Sequence, residues 1–231
     1  MIATERCVFL HLHKSGGTFV NECLLRFVPG ARQLGYHLPR SMIPQELRAL
    51  PMLGLVRNPW SYYVSWYVYQ STRRQKNALF RILSDNGQLA FEPTIRNMLN
   101  LGTSGERLDE LIAALPPRYM GTGLNLPGFA LEPIRDSGLG FYTFLYRYMY
   151  GGAGESVYVG RMESLRTELA AMLVAVGQPL LPAMRTYLEA GAARNASEHG
   201  PYDAYYDDDL RRLVARRDAE VITRHEYRCG Q

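Results

Sequence analysis

The feature that most constrains this chain is a short apolar run that ends on a pair of glycines and resumes as a helical pattern. Cys7, Val8, Phe9, Leu10 and Leu12 make up the run, and His13-Lys14-Ser15-Gly16-Gly17-Thr18 follows it. An apolar run of that length, bounded by a turn signal, reads as a buried strand. Beyond the turn, Phe19, Val20, Cys23, Leu24 and Phe27 fall at helical spacing, and Pro29-Gly30 closes the segment. Strand, glycine turn and helix form the first unit of an α/β sheet.

The rest of the chain repeats that alternation. Residues 33–38 read as a second strand, 44–49 as a short helix and the mostly apolar 52–56 as a third strand, so parallel pairing with right-handed crossovers is expected. Asn58 is suited to cap a helix that has Pro59 at its first position and runs to about Ser71. Residues 102–140 carry Pro116-Pro117, Gly121, Gly123 and Pro127-Gly128, and read as an irregular insertion. A fourth strand is expected at 156–160, a helix at 163–176 and a last helix from Tyr206 to His225. With 231 residues and no internal repeat, a single domain over 1–231 is the expected organisation.

Composition narrows the partners. A hydrophobic fraction of 47% with 21% charged residues is enough to build a core. The net charge of +4 hints at an anionic ligand, but 22 acids are interspersed among 26 bases, so no nucleic acid is expected. No apolar run is long enough to span a bilayer and the start carries no signal-peptide pattern, which gives the expectation of a cytoplasmic protein. Cys7, Cys23 and Cys229 are odd in number and widely spaced, so they read as reduced thiols, two of them in the core. Lys14 and Lys76 are the only lysines. A lysine kept inside a glycine loop by a chain that otherwise uses arginine points to a need for a compact charge there.

The glycine turn has the physics of a phosphate cradle. Gly16 and Gly17 let the backbone come close to a ligand, successive N–H groups and a helix N-terminus face an anion, and Lys14, Ser15 and Thr18 add donors. The lysine precedes the glycine pair, so this is not the nucleotide loop in which it follows the last glycine. Read alone, the segment serves equally as a tight turn with Lys14 solvated. Arg57 at a strand end and Ser65 two turns into the following helix offer a second grip on an anion. Ligands of open α/β sheets bind beyond the carboxyl ends of the strands, which expects both grips side by side.

At this point the residues resemble a family. His13-Lys14-Ser15-Gly16-Gly17-Thr18 resembles the 5′-phosphosulfate loop of the sulfotransferases that use 3′-phosphoadenosine 5′-phosphosulfate (PAPS). Arg57-Asn58-Pro59 with Ser65 and Tyr67 is similar to that family's 3′-phosphate motif, in the version of Golgi carbohydrate sulfotransferases and their bacterial relatives. Gly160-Arg161-Met162-Glu163, and Tyr205-Tyr206 before a charged helix, are weaker echoes. Residues 72–155 match nothing, and the acceptor would be chosen there.

The resemblance implies a three-layer, P-loop-like α/β domain with a central parallel sheet and an irregular helical insertion. It implies sulfuryl transfer from PAPS to the hydroxyl of a glycan, lipid or small metabolite, leaving 3′,5′-bisphosphate (PAP). Lys14 would stabilise the departing phosphate oxygen, with His13, Ser15, Gly16, Gly17 and Thr18 around the phosphosulfate and Arg57 and Ser65 on the 3′-phosphate. Arg161 reads either as a nucleotide contact or as an ion-paired surface group, and Ser197 as an adenosine neighbour. His37 follows the second expected strand, where it reads either as the base that takes the acceptor proton or as a loop histidine satisfied by the backbone. No metal is called for. Asp207-Asp208-Asp209 reads as acids complementing a helix N-terminus, and His11 with His13 lacks a third ligand. The tract from Phe141 to Tyr150 reads as a helix half-packed into the core with its hydroxyls wet. The competing class is a non-catalytic nucleotide- or polyanion-binding module that keeps the loop.

Overall fold

Five short segments pair into one sheet among the residues that the computed structural model describes, namely 1–103, 105–151, 157–190 and 200–230. They are β1 (Ile2–Ala3), β2 (Val8–Leu10), β3 (Arg32–Gln33), β4 (Met52–Val56) and β5 (Val157–Arg161), in the spatial order β3-β1-β2-β4-β5. β2, β4 and β5 pair in parallel, while β1 runs antiparallel to both β2 and β3. The fold is α/β with a mixed, mostly parallel sheet, which corrects the expectation of a parallel one. The cause lies in the connection between β1 and β2. Thr4 accepts hydrogen bonds from the amides of Arg6 (3.1 Å) and Cys7 (3.0 Å) through its hydroxyl, and a link this short can only fold back as a hairpin.

The helices are α1 (Gly17–Phe27), α2 (Pro59–Thr72), α3 (Ala78–Leu83), α4 (Phe91–Leu99), α5 (Gly105–Ala114), α6 (Phe141–Tyr150), α7 (Leu165–Ala175), α8 (Pro182–Ala190), α9 (Asp208–Arg217) and α10 (Ala219–Arg224). Three differences from expectation have local causes. The strand expected over 33–38 shrinks to Arg32–Gln33, because the chain turns at His37, whose φ is 48°. The short helix expected over 44–49 is a single 3-10 turn, Gln45–Leu47. The last helix starts at Asp208, with Asp207 accepting from the Leu210 amide at 2.6 Å, and breaks into α9 and α10 at the inward-turned Asp218.

The described chain falls into two compact units. The first comprises Met1–Arg57, Gly121–Asn125 and Tyr146–Ala196 and holds the whole sheet. Its core lies between one sheet face (Phe9, Leu53 and Leu55) and α1, α7 and α8, through Val20, Cys23, Leu24, Leu169, Leu173 and Leu188. Cys7 and Cys23 are buried free thiols in that layer, as their apolar neighbours in sequence suggest. On the other face the Tyr150 hydroxyl bridges the amide and carbonyl of Leu55, at 3.0 and 2.7 Å, and its ring occupies the room that Gly54 leaves. The hydroxyls of α6 are therefore not uniformly wet. Tyr142, Tyr146 and Tyr150 are buried, and the polar exposure of this helix is concentrated at Arg147.

The second unit comprises Asn58–Met120, Leu126–Leu145 and Ser197–Gln231, and among its described residues it is helical. α2 is buried on nearly every side from Pro59 to Trp66, so it has no polar face to show. The Asp218 carboxylate lies at the centre, accepting from the Tyr63 hydroxyl at 2.7 Å and from the Thr143 amide at 2.8 Å. It thereby satisfies an N–H at the start of α6 that the helix itself cannot pair. Burial raises this carboxyl to about 6.

Candidate anion site at the carboxyl edge of the sheet

Within the first unit, the register of the sheet decides which side chains meet. Leu10 pairs with Gly54 and Val56 with Arg161, so the chain leaves β2, β4 and β5 along one carboxyl edge. Lys14 follows β2, Arg57 follows β4 and Arg161 ends β5. Three cations from distant parts of the sequence thus share an edge.

α1 begins at this edge. Gly16 is its N-cap at φ 77°, and neither a side-chain cap nor an acid in the first turn is found among the described residues. Both glycines also leave room that a neighbouring side chain fills. A Cβ on Gly16 would sit 2.3 Å from Leu165 Cδ1, and one on Gly17 would sit 1.9 Å from His11 Cδ2. The space above Gly17 is therefore filled by the His11 ring, so these two residues are left their backbone N–H groups to offer a ligand.

Lys14 has φ 57°, a left-handed conformation that costs a non-glycine residue about 1 kcal/mol. Its carbonyl accepts from the Arg57 guanidinium at 3.3 Å. The side chain is half-buried, and desolvation together with the Arg57 charge lowers its ammonium from 10.5 to about 8. Ser15 is buried and donates to the His13 carbonyl at 3.2 Å, while Thr18 is exposed on the first turn of α1.

His37 lies beside this loop, held by two neighbours. Its ring stacks on His13, with centroids 3.7 Å apart and 19° between planes, and lies 4.3 Å from the His11 ring. A carbonyl can only accept, so the 2.7 Å contact to the His11 carbonyl fixes the proton of His37 on Nδ1 and leaves Nε2 with its lone pair. Burial lowers the imidazolium of His37 to about 4, and holds His11 and His13 well below the ordinary histidine range. His13 and His37 stack while His11 lies tilted against His37 at 54° between planes, all three as neutral imidazoles, and no metal-holding group of His, Cys, Asp and Glu occurs among the described residues. Proximity of His11 to His37 was invisible in sequence, because 26 positions separate them and a two-residue strand brings them together.

Two further site expectations concern residues beyond the described part of the first unit. Ser65 belongs to the second unit, buried in α2. Ser197 lies outside the described residues, as does Ser156 of the expected fourth strand. No helix among the described residues is long and apolar enough to cross a membrane. The chain matches no family model and no curated protein.

Proposed function

We propose that this chain is a sulfotransferase, moving a sulfuryl group from PAPS to the hydroxyl of a glycan, lipid or small metabolite on a three-layer, P-loop-like scaffold. The observation that supports it most is the enforced meeting of Lys14 and Arg57. Arg57 is bonded to the Lys14 backbone, and its charge helps to hold the Lys14 ammonium near 8. Two cations gathered beside a helix N-terminus with no acid in its first turn carry a repulsion that a bound anion removes. PAPS, with a phosphosulfate at 5′ for Lys14 and a phosphate at 3′ for Arg57, is such an anion, and the resemblance of His13-Lys14-Ser15-Gly16-Gly17-Thr18 selects it among the alternatives.

In this reading the acceptor oxygen attacks sulfur in line, forming one O–S bond while the bond from sulfur to the 5′-phosphate oxygen breaks. PAP leaves. The acceptor proton passes to Nε2 of His37, the nitrogen that its Nδ1–H bond to the His11 carbonyl leaves basic. The Lys14 ammonium stabilises charge developing on the departing oxygen, with Ser15, Thr18 and the N–H groups of Gly16 and Gly17 around the phosphosulfate. Arg57 takes the 3′-phosphate, and Arg161, paired with Val56 at the end of the neighbouring strand, contacts the nucleotide.

The test is formation of PAP from PAPS, made dependent on a pooled set of hydroxyl acceptors, together with thermal stabilisation by PAP against ATP. PAP should raise the melting temperature more than ATP does, since binding to the folded state alone stabilises it. Equal shifts would remove the 3′-phosphate assignment, and PAP binding without turnover on any acceptor would favour the non-catalytic module.

A further inference from the structure

The segment Gly121–Asn125, drawn from the sequence insertion that resembles nothing, belongs to the first unit and is fastened onto its histidine cluster. Asn125 does the fastening. Its Nδ2 donates to the Tyr36 carbonyl at 2.6 Å and its Oδ1 accepts from the Gly121 amide at 3.0 Å. The Tyr36 amide returns a bond to the Gly121 carbonyl at 3.4 Å. Asn125 is buried and sits at φ 48°, a conformation that asparagine tolerates better than most residues.

Two consequences converge on the stacked rings. The Tyr36 carbonyl belongs to the peptide that enters His37, so Asn125 holds the backbone carrying that ring. The neighbouring Leu124 carbonyl contacts His13 Nε2 at 2.6 Å, and since a carbonyl only accepts, the proton of His13 is on Nε2. His13 Nδ1 is then a lone-pair nitrogen. It is buried and without a hydrogen-bond partner among the described residues. Nδ1 lacks a partner in either tautomer, and the Nδ1–H form would in addition set the Nε2 lone pair against the Leu124 oxygen, so the Leu124 contact alone selects the tautomer.

We infer that Asn125 is a positioning residue: by clamping Gly121–Asn125 onto Tyr36 and His13 it fixes the His13 tautomer and the placement of the His37 ring stacked upon it. For its kinetic consequence this rests on the proposed transfer reaction, in which His37 takes the acceptor proton. Its structural half is independent of that reaction. A displaced His37 Nε2 would miss the acceptor hydroxyl, while Lys14 and Arg57 would still hold the nucleotide.

The experiment is proton-detected nitrogen NMR of histidine-labelled protein, run with steady-state kinetics, on the wild type and on Asn125→Ala and Asn125→Asp. The His13 and His37 signals are assigned from His13→Asn and His37→Asn. The wild type should show His13 as the Nε2–H form and His37 as the Nδ1–H form. Asn125→Ala should give mixed tautomers at His13 and a fall in kcat of about tenfold or more, with KM for PAPS and the PAP thermal shift unchanged. Asn125→Asp keeps the acceptor for Gly121 but loses the donor to Tyr36, and should lie between. An unchanged His13 tautomer in both variants overturns the inference, as does a PAP thermal shift lost in parallel with kcat in both. If the tautomers respond while the wild type turns over no acceptor, the positioning role stands and the sulfotransferase reading falls.

Discussion

Lys14 and His37 are both held away from their ordinary proton affinities, and in opposite senses for the work assigned to them. Lys14 acts as the charged form and loses its proton near pH 8, and His37 acts as the neutral form and gains one only near pH 4. The pH profile of kcat/KM reports the free protein, so its limbs should fall at about 4 and about 8. An acid limb that persists unchanged in His37→Asn would remove His37 as the base. A bound anion favours the ammonium, so the alkaline limb of kcat alone should move upward. Replacing Lys14 by Ala should lower turnover by roughly 100-fold or more while PAP binding falls less, because the charge it meets develops in the transition state. Lys14→Arg should rescue poorly, since a planar guanidinium cannot take the place of a point charge. Arg57→Ala should weaken PAP binding by on the order of 2 kcal/mol, as a lost charge-assisted contact would, and titration calorimetry reads this directly.

At the scale of elements, the β2–α1 connection does two jobs with the same glycines. Gly17→Ala drives a Cβ into the His11 ring at 1.9 Å, and that ring is buried against its neighbours. Overpacking of this kind costs about 1–3 kcal/mol, which urea unfolding would detect. The same substitution should disturb His37 through the His11 ring, 4.3 Å from it, so activity should fall further than stability alone explains. Gly16→Ala meets the end of the flexible Leu165 side chain instead, and its main cost is the left-handed φ of 77°. In the second unit, Asp218→Ala would strand the Tyr63 hydroxyl and the Thr143 amide, for a loss of about 2 kcal/mol or more. Asp218→Asn can still accept from Thr143 and donate to Tyr63, so it should be far milder.

Across the whole molecule, the two units should respond to acid in opposite directions. His37 has a folded pKa of about 4, below its ordinary value of 6.5. Its contribution is therefore present above 6.5 and lost as pH falls toward 4, and His11 and His13 act in the same sense. Asp218 has a folded pKa of about 6, above its ordinary value of 3.8, so the folded state holds that proton more tightly and its unit gains stability over the fall from 6 to 3.8. Hydrogen exchange at about pH 5 against about pH 7 should show β2 and α1 losing protection while α2 and α9 do not. Loss of protection in both units together would contradict this. Much of the scaffold was legible in the sequence. The α1 helix, the apolar β4, the Asn58 cap with Pro59 at the first position of α2 and the acids at the start of α9 all follow from local preference, because a cap or an amphipathic period is decided within a few residues. The two-residue strands β1 and β3 were not legible, since a segment that short has no period, and with them went the mixed character of the sheet. The lysine loop and Arg57 could be picked out one by one as chain segments. That the Arg57 side chain bonds the Lys14 carbonyl, that three histidines cluster as neutral rings and that Asn125 governs two of them are decisions of the tertiary structure, because burial and long-range pairing set proton affinity and tautomer, and neither is a property of a residue's sequence neighbours.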